Sequence, residues 1–428
     1  MKMGIKELCI RILLNSINTI DYYVRKYIGA TALRVDSDKA RLDLETLVEH
    51  RGRDYDFIEP CCILMEGLSK DRQLTLFGRY VANELLGGAK TIETFLAYVD
   101  NNPEINEVEI KNPIFIVGQM RTGTTFLFNL LAQDDSLFAP PVWQMLNPTP
   151  LNNNACEKEA RVGHALQNID LLNTCFPDIK KTHPLDALGP EECEVQFLRC
   201  FVSRDLPLMA HKKLLSYMTW YQTIDDETLA RLYRHYDLEI KAFVYQMGKV
   251  QKRVLRKDSN HMSFIRQLMA TYPDAKIVHT VRDPASFVPS SCSVNETYAE
   301  QYYFKSDIEP LVISHRVLKH MKHEAECFTS FRKSYDVTNQ GKGACAFLDI
   351  NFRDLVKSPM ATVRSIYAHI GKELSPKAEF AMRQYIKDNP QHKHGVHSYS
   401  LEKYGLEADL LRNEFKEYIQ YFNVKYDK

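Results

Sequence analysis

The sequence has no excess of charge of either sign. Its 428 residues include 55 Lys and Arg and 55 Asp and Glu, so the formal net charge is zero. A protein that binds nucleic acid over a broad surface usually carries a basic excess, which neutralises the phosphates. We therefore expect no nucleic-acid partner.

The sequence also lacks paired cysteines and long apolar runs. Its ten cysteines are scattered, and none forms a C-x-x-C pair or has zinc-finger spacing. Free thiols in a reducing compartment are expected from this pattern. No run reaches the roughly 18–20 apolar residues that cross a membrane. We accordingly expect a cytoplasmic protein with no transmembrane segment and no metal site.

Residues 1–105 are predicted to form a helical region, because their apolar residues recur at helical spacing and no alternating strands are evident. The stretch 1–28 is apolar on one side and is interrupted by Lys6, Arg11 and Asp21, which is atypical of a signal peptide. Two interpretations of this stretch stay open. It packs as an amphipathic helix on its own domain, or it makes peripheral contact with a membrane.

Residues 106–428 are predicted to form an α/β domain, because short β-branched runs alternate with helical patterns. This pattern indicates a central parallel sheet flanked by helices, with a ligand at the carboxyl ends of the strands. Residues 138–200 are rich in proline and loop-prone, so we expect an insertion that covers the acceptor pocket. The predicted strands are Ile114–Val117, Arg253–Leu255, Lys276–Val281 and Ala344–Ile350.

The loop after the first predicted strand carries the strongest functional signal. Gly118–Gly123 has the spacing G-x-x-x-x-G, and Thr124 and Thr125 open the following helix. A glycine loop between a strand and a helix directs backbone N–H groups at an anion. Thr124 replaces the lysine that nucleotide-hydrolysing P-loops carry after the second glycine. The cation lies inside the loop instead, as Arg121, followed by Thr122.

Two later strand ends also carry cations. Arg282 follows the third predicted strand, and Ser290 lies about two helical turns beyond it. This pair is a candidate second anion site, and a salt-bridged arginine beside the helix cap Asp283 is the alternative. Lys257 lies in the segment Arg256–His261, for which a phosphate-facing loop and a solvated loop are both open.

These motifs together resemble a known family. The segments P-I-F-I-V-G-x-x-R-T-G-T-T from Pro113, K-x-x-x-H from Lys257 and P-D-A-K-I-V-H-x-x-R-D-P from Pro273 occur in that order. The block G-x-H-x-Y-S-L-E-x-Y-G-L from Gly395 resembles a segment of one subfamily that is frequent in bacteria. From about residue 40 onward, the chain resembles sulfotransferases that use 3′-phosphoadenosine 5′-phosphosulfate (PAPS). The resemblance implies a three-layer, P-loop-like fold.

The resemblance also implies how the donor binds. PAPS has a 5′-phosphosulfate and a 3′-phosphate, and therefore needs two anion sites. Arg121–Thr125 matches the 5′ site, and Arg282 with Ser290 matches the 3′ site. Gly118, at the start of the same loop, and Lys257, which matches a lysine of the family's K-S-P-x-H segment, are further implied donor contacts. By the same resemblance, Arg121 faces the oxygen that links the sulfuryl group to the leaving phosphate. The C-terminal block implies two further donor contacts, Lys393 and His397.

His183 is the first candidate for the base that deprotonates the acceptor hydroxyl. It lies in the predicted insertion, and Pro190, Glu191 and Glu192 follow it, as in related enzymes. The two glutamates are candidates for an alternative base or for partners that orient the imidazole. The remaining alternative is a loop histidine without function.

The sequence thus predicts in-line, metal-independent transfer of a sulfuryl group from PAPS to a hydroxyl of a small, lipophilic acceptor. Two alternatives stay open. A P-loop kinase or nucleotide hydrolase requires the missing lysine and a magnesium ligand. A sulfotransferase fold that has lost catalysis acts only as a binding protein.

Overall fold

A five-stranded sheet forms the centre of the structure, which is a computed structural model. It describes residues 5–28, 31–85, 87–150, 156–205, 214–248, 252–339, 346–390 and 400–427. The strands are β1 Ile114–Gly118, β2 Leu137–Phe138, β3 Arg253–Lys257, β4 Lys276–Val281 and β5 Phe347–Asn351.

The sheet has the order β2-β3-β1-β4-β5, and all neighbouring pairs are parallel. Strand β1 is central, because Ile114 pairs with Leu255 of β3 on one side and with Lys276 of β4 on the other. The carboxyl ends of β1, β3 and β4 therefore meet at one edge, where ligands bind in sheets of this kind. The predicted parallel α/β fold is confirmed.

The sheet is covered on both faces, which gives three layers. Alternate residues of β1 enter two separate apolar cores: Phe115 and Val117 lie in one, and Ile114 and Ile116 in the other. Side chains of a strand point alternately to opposite faces. Because both faces are buried, β1 is a continuous apolar run rather than an alternating one.

The predicted helical N-terminal region is present and packs onto the larger of the two cores. That core joins Leu44, Leu64 and Phe95 from this region with Phe115 of β1. The assignment of 1–105 and 106–428 to separate domains stays a prediction. The helices of this region are α1 Ile5–Ile28, α2 Ser37–Arg51, α3 Ile58–Ser69, α4 Leu76–Leu85 and α5 Gly88–Asp100.

The remaining helices surround the sheet and build the predicted insertion. None of the helices in the described ranges is long and apolar enough to span a bilayer. Their bounds are α6 Thr124–Leu131, α7 Val142–Leu146, α8 Glu157–Cys175, α9 Ile179–Thr182, α10 Glu194–Arg199, α11 Leu215–Gln222, α12 Asp226–Gln246, α13 Asn260–Ser263, α14 Ile265–Thr271, α15 Pro284–Ala299, α16 Pro310–Thr338, α17 Phe352–Lys357, α18 Pro359–His369, α19 Pro376–Asp388, α20 Ala408–Glu414 and α21 Lys416–Tyr421; short 3₁₀ turns lie at Arg53–Tyr55, Pro103–Glu107, Lys305–Asp307 and Glu402–Tyr404.

Strand β2 and helix α12 are among the elements that the sequence patterns miss. Strand β2 has only two residues, too few for any periodicity to register. Helix α12 buries His235 and Glu239 along with its apolar side chains, so its inward stripe is not uniformly apolar. Both elements depend on partners elsewhere in the chain. Strand β2 pairs with β3, and Glu239 forms an ion pair with Arg199 of α10 at 2.6 Å.

Candidate active site

The loop between β1 and α6 has the backbone geometry of an anion cradle. Gly123, directly before α6, lies in the left-handed region with φ 92°, and Arg121 is left-handed as well, with φ 68°. A side chain at Gly123 would also crowd Phe352, since its Cβ would lie 3.0 Å from that ring. The first N–H groups of a helix have no partner within the helix. At the start of α6 they are therefore available to an anion.

Thr122 holds this loop against the neighbouring strand. Its hydroxyl donates to the carbonyl of Gln119 at 2.6 Å and lies 2.7 Å from the hydroxyl of Thr280 on β4. Gly118 allows the close approach, because a Cβ there would lie 2.8 Å from the carbonyl oxygen of Thr280. Thr122 is fully buried. Its hydroxyl thus stabilises the loop, and a contact between Thr122 and the donor stays a prediction.

Lys257 supplies a cation to the loop from the adjacent strand. It is the last residue of β3, and its Nζ donates to the hydroxyl of Thr125 at 3.2 Å. The same ammonium forms an ion pair with Glu192. Thr125 itself is exposed, whereas the Lys257 side chain is almost fully buried. A lysine from β3 thus brings a cation to the first turn of α6, beside Thr124, the residue that replaces the P-loop lysine.

Arg121, Ser290 and Arg282 lie together, so the two predicted anion sites are adjacent. The Nε of Arg121 donates to the hydroxyl of Ser290 at 3.1 Å. One Nη of Arg282 donates to the backbone carbonyl of Arg121 at 2.8 Å. As predicted, Asp283 caps α15, and its carboxylate accepts from the N–H of Ala285 at 3.1 Å. Helix α15 thereby fixes Ser290 opposite the loop.

Arg282 has two partners that the sequence did not indicate. Its Nε donates to the carboxylate of Asp427 at 2.7 Å, and its guanidinium lies 4.0 Å from the centre of the Phe352 ring. Arg412 holds the neighbouring Asp283 at 2.7 Å. The alternative of a salt-bridged Arg282 is therefore partly realised, with the carboxylate coming from the C-terminal tail rather than from Asp283.

The two predicted glutamates lie in opposite electrostatic environments. Burial raises the pKa of Glu191; His183 opposes that rise and Glu192 adds to it. Burial also disfavours the charged form of Glu192, but Lys257 and His183 outweigh it and lower the pKa of Glu192 to about 2. Glu192 is thus ionised at neutral pH, and such a low pKa makes it a weak proton acceptor. Neighbouring carboxylates with divergent pKa values indicate different roles.

His183 lies directly after α9, beside these glutamates and against helix α15. Its ring meets Tyr298 edge-on, with ring centres 6.3 Å apart. Tyr298 was not predicted. Burial raises the pKa of its hydroxyl, the nearby Glu191 and Glu192 raise it further, and Arg121 opposes them. Tyr298 therefore contacts His183 and lies within electrostatic range of Glu191, Glu192 and Arg121. Its position two helical turns after Ser290 is the signal that would have revealed it.

The segment after β3 is buried, not a solvated loop. The N–H of Asp258 donates to the carbonyl of Ile116 at 3.2 Å, which joins the segment to β1. Asn260 donates from its side chain to the Asp258 carboxylate at 2.8 Å. His261 contacts the Tyr233 hydroxyl at 2.7 Å, and burial lowers the pKa of its imidazole to about 3. His261 is therefore neutral, and its contact with Tyr233 helps to hold the segment that follows Lys257 in place.

The last predicted donor contacts, Lys393 and His397, lie outside the described residues. The chain that follows them is attached to α15, because the Tyr404 hydroxyl donates to Glu296 at 2.7 Å. Within the described ranges, no three His, Cys, Asp or Glu side chains are arranged as metal ligands.

Comparison with known proteins agrees with this arrangement. The model of the sulfotransferase family matches residues 113–376, which begin at the loop strand and include all the described candidate residues except Asp427. The chain belongs to the sulfotransferase family. The predicted resemblance is thereby confirmed, and the reaction class of this sulfotransferase is sulfuryl transfer.

Individual relatives support both the family and the fold. The chain is 25% identical over 302 residues to the omega-hydroxy-beta-dihydromenaquinone-9 sulfotransferase Stf3 of Mycobacterium bovis, covering 68% of this chain and 71% of that protein. The crystal structure of sulfotransferase STF1 from Mycobacterium tuberculosis superposes with a TM-score of 0.69 at 25% identity, over 90% of this chain and 98% of that one. The structure of STF9 from Mycobacterium avium, at 19% identity and TM-score 0.75, covers 93% and 99% and shows the same fold.

Proposed function

We propose that this sulfotransferase moves a sulfuryl group from PAPS to a hydroxyl of a small, lipophilic acceptor, in line and without a metal. One observation carries the proposal: Lys257 of β3 reaches Thr125, the second residue of the helix that follows the Arg121 loop. One cation on the loop, a second cation from the end of β3 and the first N–H groups of α6 together suit a phosphosulfate. When bound, PAPS supplies a sulfuryl group on a phosphate leaving group.

Each part of the loop has a distinct task in this proposal. The N–H groups and hydroxyls of Thr124 and Thr125 bind the 5′ end of the donor. Arg121 and Lys257 stabilise the negative charge that develops on the leaving phosphate oxygen. Arg282 and Ser290 bind the 3′-phosphate. The donor set fits the group, since every charged side chain aimed at this edge from the loop and from β3 is a cation.

The acceptor side of the site rests on His183. We infer that its imidazole takes the proton from the acceptor hydroxyl, and that the buried Glu191 orients the imidazole. Glu192, whose pKa is about 2, stays ionised and holds Lys257 in place. Because Glu192 pairs with Lys257 and Glu191 orients His183, the proposed base does not itself take part in the ion pair with Lys257.

The class of acceptor is inferred from a relative. Stf3 is named for an ω-hydroxylated menaquinone, which is a hydroxyl on a lipophilic molecule. We propose the same general class for this chain, not the same compound. We also keep a cytoplasmic location as a proposal, because all nine described cysteines are free thiols, as expected in a reducing compartment.

Turnover with labelled PAPS over a panel of lipophilic alcohols and phenols tests the proposal. Calorimetric titration with adenosine 3′,5′-bisphosphate and, separately, with magnesium ATP distinguishes the alternatives. We expect binding of the bisphosphate and none of ATP. ATP hydrolysis would support the kinase or hydrolase alternative. Tight bisphosphate binding without transfer to any acceptor would support the non-catalytic alternative.

We expect His183→Ala to lower kcat by roughly 100-fold to 10,000-fold, the usual contribution of a general base. The affinity for adenosine 3′,5′-bisphosphate should stay within about twofold, because His183 lies on the acceptor side of the loop. Steady-state kinetics and calorimetry on the same preparation measure both. The matched control is His164→Ala, an exposed histidine on α8. A loss confined to the KM of the acceptor would make His183 a positioning residue.

We expect Asp427→Asn to tighten the binding of adenosine 3′,5′-bisphosphate by roughly three- to tenfold, since one charged hydrogen bond to Arg282 no longer competes with the 3′-phosphate. Asp354→Asn is the matched control: Asp354 pairs with Lys425 of the same tail at 2.6 Å and does not contact Arg282. Equal effects of both substitutions would indicate loosening of the tail. Weaker binding in Asp427→Asn would show that Asp427 orients Arg282 for the phosphate.

A further inference from the structure

Helix α1 is attached to the protein by polar side chains. Asn18 and Asp21 are buried, and the side-chain oxygen of Asn18 accepts from the N–H of Phe77 at 3.1 Å. Asp21 forms ion pairs with Arg79 of α4 and, at 2.8 Å, with Arg25 of α1. Arg25 in turn donates to the carbonyl of Leu74 at 3.0 Å. The inner side of α1 is therefore largely hydrogen-bonded and ionic.

The opposite side of α1 faces outward and is mainly apolar, which reverses the usual arrangement of a surface helix. Ser16 and Thr19 also lie on it, and their hydroxyls donate to backbone carbonyls of the same helix. Leu13 is 59% exposed and Ile20 is 63% exposed. We call this outward set the apolar face of α1. Its exposed members are Leu8, Ile12, Leu13, Ile17, Ile20, Tyr23, Tyr27 and Ile28.

The width of the apolar face indicates the shape of what covers it. At about 100° per residue, Leu8 to Ile28 projects onto an arc of roughly 200° around the helix. A single partner helix covers a narrower seam, of the kind formed by two positions per heptad. An arc of about half the circumference suits a flat apolar medium in which the helix lies parallel to the surface.

The polar groups at the margins of α1 suit the headgroup region of a membrane. Lys26 is exposed, and its ammonium lies 5.8 Å from the ring centre of Tyr22 and 5.5 Å from that of Tyr27. Tyrosine rings and lysine side chains favour the boundary between lipid and water. The helical segment carries Lys6, Arg11, Arg25 and Lys26 against Glu7 and Asp21, so basic residues exceed acidic ones.

Helix α1 also lies on the acceptor side of the protein. It packs against α4 and against α8 of the predicted insertion, and α8 leads through α9 to His183. Helix α8 itself exposes Leu166 and Leu171. A membrane that contacts α1 would therefore adjoin the elements that carry the base candidate.

We propose that the apolar face of α1 docks this sulfotransferase on the surface of an anionic membrane, from which it takes its lipophilic acceptor. Docking rests on the geometry of α1, whereas delivery of the acceptor rests on the proposed function. The helix lies in the plane of the interface, with its polar inner side kept on the protein. In effect, the lipid supplies the apolar half of the environment of α1.

Co-sedimentation of the full chain with phosphatidylcholine vesicles, with and without phosphatidylglycerol, tests the docking. We expect binding that is stronger with phosphatidylglycerol. Leu13→Asp and Ile20→Asp should each weaken it by about tenfold or more, since a charge replaces an aliphatic side chain that would enter the lipid. The matched control is Leu311→Asp on α16, because Leu311 is 63% exposed and lies outside α1. Thermal unfolding of each variant verifies the fold.

The results distinguish two occupants of the apolar face of α1, a membrane and a second copy of the chain. Wild-type protein that stays in the supernatant, or Leu13→Asp that sediments as well as wild type, overturns the proposal. A lipid-free dimer that Leu13→Asp converts to a monomer in analytical ultracentrifugation also overturns it and assigns the face to a second copy. Binding of adenosine 3′,5′-bisphosphate should be unchanged in Leu13→Asp. Failure to bind the bisphosphate by the wild type would reject the proposed function and leave the docking result standing.

Discussion

Replacement of Lys257 by methionine is expected to lower kcat by about 1,000-fold or more. A loss of this size is typical when a cation that stabilises the charge of the transition state in phosphoryl transfer is removed. Methionine fills a similar volume but has no charge, so the change isolates the ammonium. The loss should appear in kcat rather than only in the KM for PAPS, because the charge on the leaving oxygen develops in the transition state. Steady-state kinetics with labelled PAPS measure both parameters.

The same substitution should also affect stability, because it leaves Glu192 without its ion-pair partner. Breaking a buried pair by removing one member costs about 3 kcal/mol or more. Glu192→Gln in the Lys257→Met background should restore much of this loss, since it removes the unpaired charge. Urea unfolding measures the stability, and the double variant should stay inactive. Recovered activity in the double variant would show that Lys257 acts only by neutralising Glu192.

Lys333→Met is a matched control, which distinguishes an effect specific to the buried Lys257 from a general effect of removing a lysine. Lys333 also forms an ion pair, with Glu417, but nearly half of its side chain is exposed on α16. An exposed pair contributes about 0–1 kcal/mol. Lys333→Met should therefore leave both kcat and stability nearly unchanged. A loss of kcat in this variant comparable to that of Lys257→Met would contradict the special role of Lys257.

Arg121→Gln is expected to reduce kcat by about 1,000-fold, because the cation of the loop is lost while an uncharged polar side chain remains. Arg121→Lys should recover part of the rate, since the charge returns but the Nε that reaches Ser290 does not. Ser290→Ala, in contrast, should raise the KM for PAPS with a smaller change in kcat. These three variants, compared by steady-state kinetics, distinguish charge from positioning.

Two outcomes would contradict the assignment of Arg121. Near-normal turnover in Arg121→Gln would mean that Lys257 alone carries the leaving-group charge. A change only in the KM for PAPS would mean that Arg121 binds the donor equally in ground and transition states. Circular dichroism controls for folding, since residue 121 has φ 68° and a side chain there bears some backbone strain.

Most strand positions could be predicted from the sequence, because the sheet is buried on both faces. Strand β4 occurs as predicted at Lys276–Val281, and β1 extends the predicted strand only by Gly118. Continuous β-branched runs bounded by Pro113, Gly118 or the turn before β4 are strong local signals. Strand β5 is described at Phe347–Asn351, within and one residue beyond the predicted strand, and residues 344 and 345 of that prediction lie outside the described residues.

The contacts within the site were harder to predict from the sequence than the residues that make them. Arg121, Lys257 and Ser290 were each candidates, but the sequence placed Arg121 and Ser290 at different anion sites. Their hydrogen bond joins residues 169 positions apart. Such proximity is set by the parallel order of β3, β1 and β4 and by the capping of α15. No local pattern contains this information.

The sequence by itself determined the family, the strand–loop–helix motif and the types of side chain at the strand ends, because each of these is a local pattern of residue type and spacing. Only the tertiary structure decided that Lys257 reaches Thr125 and that Asp427 pairs with Arg282. It also decided that α1 turns its apolar side outward. A helical pattern defines an apolar stripe, but which side is buried depends on the partners, here Arg79 and the backbone around Leu74, that hydrogen-bond the polar side.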